Sequence, residues 1–310
     1  MQTFYEAHEF PVLPFAVVSS GTFDGVHIGH QSILKKVVET ARLHNGQSVI
    51  VTFFPHPRMF FGQEVKLLNT LQERIELIAQ TGVDYLLVLK FNEHLANFSA
   101  NEFVEKIYIQ TTHAKKLILG YDHHFGKNRS GNIDFLKANL SRYSFDLEEI
   151  PAQDIDQITI SSTKIRSALF SKDISTATKY LGRYYTLSGK VIEGDKIGRT
   201  IGYPTANLQM TENYKLIPAE GIYAVWVKID NQRYGGMLYI GKRPVIDKNS
   251  ELRIEVNIFD FDQDIYGKTI TLEFVNFLRN DMNFESLEAL QAQLSQDKLA
   301  ALVALQKKSL

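Results

Sequence analysis

The pattern of apolar residues changes near Tyr184, and this change limits the folds open to the chain. Before it, short apolar runs alternate with amphipathic stretches. Runs such as Phe15–Val18 and Leu86–Leu89 suit strands that are buried on both faces. Gly29–His44 instead carries its apolar residues at helical spacing. Strands that alternate with helices predict a parallel sheet covered on both faces, which is an α/β fold.

The expected elements of the first part follow this alternation. We expect strands over Phe15–Ser20, Ser48–Phe54, Asp84–Leu89, Lys115–Leu119 and Ser144–Ile150. We expect helices over Gly29–His44, Thr70–Thr81, Ser99–Gln110, Asn132–Ser141, Thr163–Phe170 and Ser175–Leu181.

The remaining residues have a pattern typical of antiparallel strands. Leu252–Ile258 alternates polar and apolar side chains, and turns rich in Gly, Asn and Asp separate several such segments. We expect strands over Tyr184–Glu193, Gly221–Ile229, Gly236–Ile240, Arg253–Phe259 and Thr269–Phe277, then a helix over Ser286–Gln306. At ~100–200 residues per domain, 310 residues favour two domains. We predict boundaries of 1–183 and 184–310, the second domain being a mainly antiparallel β-barrel with a terminal helix.

Composition excludes several kinds of chemistry. The chain has no Cys, which rules out disulfides, thiolate catalysis and iron–sulfur clusters. Its 34 Lys and Arg balance 35 Asp and Glu, so no basic surface for nucleic acid is indicated. All 9 His lie between His8 and His124. Any reaction in the second half therefore needs a general base other than imidazole.

The hydropathy of the chain gives no sign of export or membrane insertion. Met1–Glu6 lacks the basic region and apolar run of a signal peptide. No stretch approaches the ~20 apolar residues of a membrane helix. We expect a cytoplasmic protein without membrane partners.

One candidate site is the segment Gly21–His30, with sequence GTFDGVHIGH, between a predicted strand and a predicted helix. Its glycines allow close approach of the backbone to a ligand, and a helix N-terminus favours anions. His27 and His30 are three residues apart and share a helix face. Two imidazoles there could stabilise charge on a transferring phosphoryl group or on leaving pyrophosphate. The alternative is a glycine turn with two incidental histidines.

This segment resembles the signature of the HxGH nucleotidyltransferases, and in this form the FMN adenylyltransferase module of bacterial bifunctional riboflavin kinase/FAD synthetases. Three further segments resemble the same module: Phe53–Pro57 (FFPHP), Gly120–Gly131 (GYDHHFGKNRSG) and Ser161–Arg166 (SSTKIR). The resemblance implies a Rossmann-like parallel sheet. It also implies adenylyl transfer from a nucleoside triphosphate by direct in-line attack.

The resemblance assigns roles to individual residues of this module. It implies catalytic charge stabilisation by His27, His30 and Arg166. It implies nucleotide binding by Gly21, Phe23, Asp24, Gly29, His56, Ser162 and Thr163, and flavin binding by Asp122, Phe125, Gly126 and Arg129. His123 departs from the usual G-x-D-F-x-F-G loop, where Phe is common; it keeps a flat ring and adds a titratable donor. Alternatively, His56 forms only a rigid turn, and Arg129 and Arg166 are solvated surface charges.

The second candidate site is the segment Gly198–Leu208, with sequence GRTIGYPTANL. Thr205 and Asn207 lie two apart, so they point the same way in an extended segment. A hydroxyl and an amide oxygen suit Mg²⁺, which also binds substrate phosphates. The alternative is a β-turn in which both side chains satisfy backbone groups.

This segment resembles the G-x-P-T-A-N signature of riboflavin kinases. Other segments resembling that family are Gly221–Ala224, Tyr239–Pro244, Arg253–Lys268 and Phe277–Arg279 with Phe284, with Tyr239 standing where Asn is common. The resemblance implies nucleotide contacts at Gly198, Arg199, Gly202 and Pro204, a flavin contact at Arg279, and Mg²⁺ at Thr205 and Asn207.

A kinase in this half needs a carboxylate to accept the proton of the attacking hydroxyl, because imidazole is absent. The resemblance places that role on Glu255. The alternative is a surface carboxylate paired with Arg253 or Lys268.

We predict a bifunctional enzyme that converts riboflavin to FMN with ATP and Mg²⁺, and FMN to FAD with a second ATP. The first alternative is a riboflavin kinase whose N-terminal module binds ligand without turnover. Two others are a flavin-binding regulator and an RNA-linked nucleotidyltransferase; balanced charge weighs against the latter. The expected partners are the small molecules riboflavin, FMN and ATP, and the expected state is a monomer or a weak homo-oligomer.

Overall fold

The computed structural model describes residues 1–151, 154–155, 158–194, 197–230, 232–242 and 252–307. The chain forms two compact units, Met1–Ser162 (the first unit) and Thr163–Leu310 (the second unit). This division falls 21 residues before the predicted boundary after Arg183, because the two helices that precede the barrel group with the second unit. The functional boundary after Arg183 stays a prediction.

The first unit is built on a parallel sheet of six strands in the order β1-β4-β3-β2-β5-β6. The strands are β1 Gln2–Phe4, β2 Ala16–Ser20, β3 Gln47–Phe54, β4 Tyr85–Lys90, β5 Ala114–Gly120 and β6 Asp146–Ile150. β2 pairs with β3 on one side and with β5 on the other, both in parallel. The chain first builds the sheet outwards from β2 through β3 to β4, then returns to add β5 on the opposite side. The carboxyl ends of β2 and β5 therefore flank a topological switch point, the usual place for a ligand in such sheets.

Both faces of this sheet are buried. Successive residues Val17 and Val18 of β2 belong to different hydrophobic clusters, Val17 with Ile50 and Val18 with Val49. Side chains alternate between the faces of a strand, so each cluster covers one face. This confirms the prediction of strands buried on both sides.

The helices begin where the sequence supplies hydrogen-bond acceptors for exposed backbone N–H groups. Thr70 with Glu73, and Ser99 with Glu102, form capping boxes. The α-helices are α1 Ile28–Leu43, α2 Pro57–Phe60, α3 Leu71–Ala79, α4 Glu93–Ala96, α5 Ala100–Phe103, α6 Ile133–Asn139, α7 Ser162–Phe170, α8 Ile174–Leu181, α9 Ile197–Thr200 and α10 Leu287–Lys307. The helix expected over Ser99–Gln110 is α5 followed by a π-helical segment, Val104–Thr111.

The second unit is a closed antiparallel barrel with strand order β10-β13-β12-β11-β14-β9. The strands are β9 Tyr185–Ile192, β10 Ala206–Met210, β11 Gly221–Ile229, β12 Gln232–Lys242, β13 Leu252–Ile258 and β14 Thr269–Arg279. β9 closes the barrel by pairing with both β10 and β14. α10 packs outside the barrel, where Ala301 and Leu305 are buried against a cluster containing Phe259 and Val275. The expected barrel and terminal helix are confirmed.

Some elements differ from the sequence-based expectation. β1 was not expected, because only three residues pair with β4. β10 was not among the expected strands, yet it belongs to the barrel and carries Asn207. Residues 154–155 and 158–159 form a short antiparallel pair, β7 and β8. Residues 243–244 of the riboflavin kinase-like turn lie outside the described residues.

Among the described residues, no helix is long and apolar enough to cross a membrane.

Candidate active sites

The glycine loop of the first unit leaves the carboxyl end of β2 in an unusual backbone conformation. Phe23 and Val26 have φ angles of 48° and 37°, and Gly25 between them has 87°. Left-handed backbone at a bulky or β-branched residue costs about 1–3 kcal/mol and persists only where the surroundings impose it. Both side chains are buried in the core.

Two buried charged residues hold this loop in place. Asp24, 3% exposed, accepts backbone N–H groups of Leu68 and Asn69 through Oδ1, at 2.9 and 3.3 Å. Arg74, also 3% exposed, donates to the carbonyl oxygens of Thr22 and Phe53. Sequence reasoning assigned Asp24 to the nucleotide; the structure uses its carboxylate to fix the loop. Sequence reasoning missed Arg74, although Arg74 and the buried Ile78, four residues later, share one face of α3.

His27 and His30 come together as predicted. His27 is the N-cap of α1, and its Nδ1 accepts the backbone N–H of His30 at 3.3 Å. The two imidazole rings stack with centroids 3.7 Å apart, and the ring of Phe23 packs edge-on against His30 at 5.3 Å. Because Nδ1 of His27 is an acceptor, the neutral ring carries its proton on Nε2. The pair thus lies at a helix N-terminus beside the glycine loop, where an anion is favoured.

His56 repeats this arrangement at the start of α2. Its Nδ1 accepts the backbone N–H of Arg58 at 3.1 Å, and the residue is buried. The neutral ring again carries its proton on Nε2. His56 therefore has a structural role in the turn, as in the alternative given above. Its ring also retains an N–H donor that a phosphate could use.

The remaining predicted residues of this half have varied settings. Gly21 donates its N–H to the carbonyl of Val51, and Gly29 lies in the first turn of α1. Ser162 Oγ donates to the carbonyl oxygen of Asp24 at 2.8 Å. Thr163 and Arg166 lie on α7, within the second unit.

The segment Gly120–Gly131, which was predicted to bind flavin, begins at the last residue of β5. Phe125 is buried against Phe103 and Tyr108, with ring centroids 5.3 and 5.8 Å away. Gly126 has a φ of 71°, and an added Cβ would lie 2.9 Å from the backbone nitrogen of Ala100, so only glycine fits there without a shift. Asp122 and Arg129 are exposed.

Three polar side chains that sequence reasoning did not join meet at the carboxyl end of β2. Ser20 Oγ lies 2.6 Å from the Tyr108 hydroxyl and 3.1 Å from Nε2 of His123. The Tyr108 hydroxyl lies 3.4 Å from the same nitrogen. Burial, with the nearby His124 and Arg129, lowers the pKa of His123 to about 4. Burial raises the pKa of Tyr108 above its usual range. We call these residues the Ser20–Tyr108–His123 cluster; their wide sequence separations gave no signal.

The second unit brings Thr205, Asn207 and Glu255 together. Thr205 Oγ1 lies 3.3 Å from Oε2 of Glu255, and Asn207 is the cross-strand partner of Glu255 between β10 and β13. Oε1 of Glu255 lies 3.7 Å from the guanidinium of Arg253. The ion pair with Arg253 that we weighed as an alternative is thus present, beside the two predicted metal ligands rather than apart from them.

Gly194 fits closely against Asn207, since an added Cβ would lie 2.1 Å from the Asn207 amide nitrogen. Gly194 follows β9, which neighbours β10 on the side opposite β13. Sequence reasoning did not single out Gly194.

The turn before β10 is held by backbone and side-chain contacts. The N–H of Tyr203 donates to the carbonyl of Gly198, where an added Cβ would lie 2.2 Å from the Tyr203 oxygen. Gly202 has a φ of 79° with open space around it. The buried Asn257 amide donates to the carbonyl of Pro204 at 2.7 Å. Arg199 is exposed beside this turn.

Arg279, predicted to contact flavin, makes a two-pronged ion pair in the structure. Its Nε and Nη2 donate to the carboxylate of Asp297 on α10 at 2.9 and 2.7 Å, and Asp297 is 3% exposed. The pair fastens the end of β14 to α10. Sequence reasoning missed Asp297.

Comparison with known proteins matches both halves of the chain separately. Residues 12–164 match the family model FAD synthetase, and residues 181–305 match the model Riboflavin kinase. The bifunctional riboflavin kinase/FMN adenylyltransferase of Pseudomonas fluorescens is 38% identical over 92% of this chain and 91% of its own length. The chain belongs to the bifunctional riboflavin kinase/FMN adenylyltransferase family. The predicted family, fold class and transferase activities are thereby confirmed.

Other members of the bifunctional family have similar coverage. The Bacillus subtilis enzyme of the same name is 35% identical over 93% of this chain and 92% of its own length. A Streptococcus pneumoniae crystal structure described as a macrolide-efflux protein has a TM-score of 0.88 at 32% identity, covering 97% of this chain and 98% of that one. Both units of the chain therefore have counterparts in a solved structure.

Proposed function

We propose that the two units divide the two reactions of the bifunctional family between them. The second unit phosphorylates riboflavin with ATP to give FMN. The first unit transfers AMP from another ATP to FMN, which gives FAD and pyrophosphate. One observation carries this division: each unit holds a cluster suited to one of the two reactions. The barrel has a carboxylate beside oxygen ligands, and the sheet unit has stacked histidines at a helix N-terminus.

In the kinase step, Glu255 takes the proton of the ribityl hydroxyl as that oxygen attacks the γ-phosphorus of ATP. Thr205 orients the carboxylate by donating to Oε2, and Arg253 lies 3.7 Å from Oε1. Because Thr205 and Arg253 contact different oxygens of the Glu255 carboxylate, its orientation toward the ribityl hydroxyl is fixed. Gly198, Arg199, Gly202 and Pro204 form the turn that approaches the phosphates.

Mg²⁺ fits the oxygen atoms of this site. Thr205 and Asn207 offer one hydroxyl and one amide oxygen, and among the described residues no group of three or more His, Asp or Glu forms a cage for a metal. A magnesium ion typically shares such a sparse protein site with substrate phosphates and waters. Bound there, it would neutralise charge on the β- and γ-phosphates.

In the adenylyl step, the phosphate of FMN attacks the α-phosphorus of ATP and pyrophosphate leaves. The nucleophile is already an anion, so no general base is required. His27 and His30 stabilise the growing charge by N–H donors at the α1 N-terminus. Asp122, Phe125, Gly126 and Arg129 bind the flavin. The charge-stabilising role that the SSTKIR motif implies for Arg166 stays a prediction, because Arg166 lies in the second unit.

Two variants test the division of labour. Glu255→Gln should lower riboflavin phosphorylation by about 10²–10⁴-fold and leave FMN adenylylation unchanged. His30→Ala should lower adenylylation by about 10²–10³-fold and leave phosphorylation unchanged. Asp262→Asn and His8→Ala are matched controls, because both residues are exposed and neither belongs to a cluster. FMN and FAD are quantified by chromatography, starting separately from riboflavin and from FMN.

Specific outcomes contradict the proposal. Loss of both activities in both folded variants would refute the division of labour. Wild-type protein that makes FMN but no FAD would favour the single-activity kinase.

The remaining expectations concern partners and surroundings. We propose that the partners in turnover are the small molecules riboflavin, FMN and ATP, with Mg²⁺ as cofactor, and that the enzyme acts in the cytoplasm as a monomer or a weak homo-oligomer. Light scattering across a concentration series measures the oligomeric state. A stable oligomer at every concentration would contradict the proposed monomer or weak homo-oligomer.

A further inference from the structure

The Ser20–Tyr108–His123 cluster lies at the switch point between β2 and β5. Ser20 is the last residue of β2, and His123 follows the end of β5 by three positions. The hydrogen bond between Ser20 Oγ and His123 Nε2 thus crosses the crevice where sheets of this topology bind ligands. Ser20 and Tyr108 are 4% and 0% exposed, whereas His123 is partly exposed.

The proton count of the cluster fixes the tautomer of His123. If Nε2 carried the ring proton and donated to Ser20, the two hydroxyl protons would compete for the single short contact between Ser20 and Tyr108. One buried hydroxyl proton would then have no acceptor among the described residues. If Nε2 is an acceptor, Tyr108 donates to Ser20 and Ser20 donates to His123, so both protons are used. The proton of the ring is therefore on Nδ1.

Nδ1 is left as the donor that reaches outward. It makes no hydrogen bond to any described residue, and it is absent from the buried polar atoms that lack partners. One face of the ring lies over Phe125, with centroids 5.8 Å apart and planes 27° apart. The ring is therefore fixed by hydrogen bonds on one edge and by Phe125, while the Nδ1 edge remains accessible.

The charge of the ring decides which part of a ligand it suits. With a pKa lowered to about 4, His123 stays neutral near neutral pH. A neutral N–H donor beside the Phe125 ring suits an uncharged acceptor on a flat heterocycle. An anion binds better at a helix N-terminus or to a guanidinium group.

We propose that His123 is a specificity-determining residue that donates Nδ1–H to an acceptor atom of the FMN isoalloxazine, with Ser20 and Tyr108 as positioning residues that hold this tautomer. This inference rests on the proposed function of the first unit. Related loops commonly have Phe at the position of His123. The inference is that His123 adds a hydrogen bond that a phenyl ring cannot make.

Three substitutions at this position separate the two edges of the ring. Asn places its amide nitrogen near the position of Nδ1, Gln places its terminal group near Nε2, and Phe keeps only the flat ring. His123→Gln and His123→Phe should raise the KM for FMN in adenylylation by about 2–12-fold, the range for one neutral hydrogen bond. His123→Asn should raise it less than His123→Gln does. In all three, the KM for ATP and the rate of riboflavin phosphorylation should stay unchanged.

Ser20→Ala tests whether Ser20 positions the His123 ring. If Ser20 had only a structural role, this variant would change neither the tautomer of His123 nor the KM for FMN. Nitrogen NMR of wild-type protein labelled at histidine should report a protonated Nδ1 and an unprotonated Nε2 for His123, and FMN should shift the Nδ1 signal. Ser20→Ala should lose this pattern and raise the KM for FMN with His123 still present.

The outcomes are decisive in both directions. A wild-type spectrum with the proton on Nε2, or an unchanged KM for FMN in both His123→Gln and His123→Phe, would overturn the inference. Wild-type protein that forms no FAD would instead refute the proposed function. In that case the NMR titration with FMN still decides whether Nδ1 meets the flavin.

Discussion

Nδ1 of His27 accepts the backbone N–H of His30, and the two rings stack at 3.7 Å. Helix N-caps are usually Ser, Thr, Asn or Asp, as at Thr70 and Ser99 in this chain. An imidazole at this position serves as a cap through one nitrogen and keeps a donor on the other. The first of the two motif histidines therefore combines a structural and a chemical role in one ring.

The two roles of His27 can be separated by substitution. His27→Asn should keep the cap, because Asn is a preferred N-cap, and lower adenylylation by about 10²–10³-fold through loss of the Nε2 donor. His27→Ala should lose the same activity and also about 1 kcal/mol of unfolding free energy. Urea unfolding and FAD formation from FMN measure these effects. Equal stability of the two variants would show that the cap contributes nothing.

Arg74 should matter for one activity only. Arg74→Met removes the guanidinium that donates to the carbonyl oxygens of Thr22 in the glycine loop and Phe53 in β3, at about 1–3 kcal/mol each. We expect slower adenylylation with unchanged riboflavin phosphorylation. Arg142→Met, at an exposed position, is the matched control. Wild-type adenylylation by the folded Arg74→Met variant would contradict a positioning role for this arginine.

The hydroxyl of Thr205 should be required for phosphorylation. Thr205→Val keeps the shape but removes the group that donates to Glu255, and kcat should fall about 10–100-fold, the range for a hydrogen bond to a charged group. Thr205→Ser keeps the hydroxyl and should retain most of the activity. Steady-state rates of FMN formation test this pair. Similar rates for the two variants would mean that the hydroxyl is dispensable.

The Arg279–Asp297 pair should stabilise the second unit. Arg279→Met leaves the buried carboxylate of Asp297 without its cationic partner and should cost about 3–5 kcal/mol in unfolding free energy. The double variant Arg279→Met/Asp297→Leu should recover most of this loss, because both charges are gone. If the double variant folds well but has a raised KM for riboflavin, Arg279 also contacts flavin, as the sequence suggested. A normal KM would restrict Arg279 to its structural role.

His123 should make stability depend on pH in mildly acid solution. Its pKa is lowered from 6.5 to about 4 by burial and by nearby His124 and Arg129. Between these values the unfolded chain binds a proton that the folded chain does not, so unfolding becomes easier as pH falls from 6.5 to 4. The loss should reach about 3 kcal/mol at pH 4, and His123→Phe should lack this contribution. Urea titrations of both proteins across this range test it; parallel pH profiles would contradict it.

The sequence predicted most of the elements whose apolar residues recur at regular spacing. Strands β2 to β6 and helices α1 and α3 follow apolar periodicity, which local burial imposes. The stacked histidines lie within one helical turn, so spacing alone brought them together. The strands β1 and β10 were missed. The three-residue β1 pairs with the distant strand β4, and β10 directly follows the turn-like segment Gly202–Thr205.

The parts of the sites that the sequence did not predict depend on distant partners. Ser20 and His123 are 103 residues apart, and Arg74 meets the loop across 52 residues. Arg279 belonged to a motif, but no sequence pattern joined it to Asp297, which lies on the terminal helix. Such contacts depend on tertiary packing, which single-sequence patterns do not encode.

The helices α7 and α8 make the chain hard to divide into two working enzymes. A cut after Ser162 keeps both compact units but removes Thr163 and Arg166 of the SSTKIR motif from the sheet unit. A cut after Arg183 keeps the motif with the sheet unit. It also strips the barrel of α8, whose Ile174 and Leu181 are buried. If Arg166 acts in the sheet unit as predicted, a gene split into two separate flavin enzymes would need α7 in both products, whereas α8 belongs with the barrel.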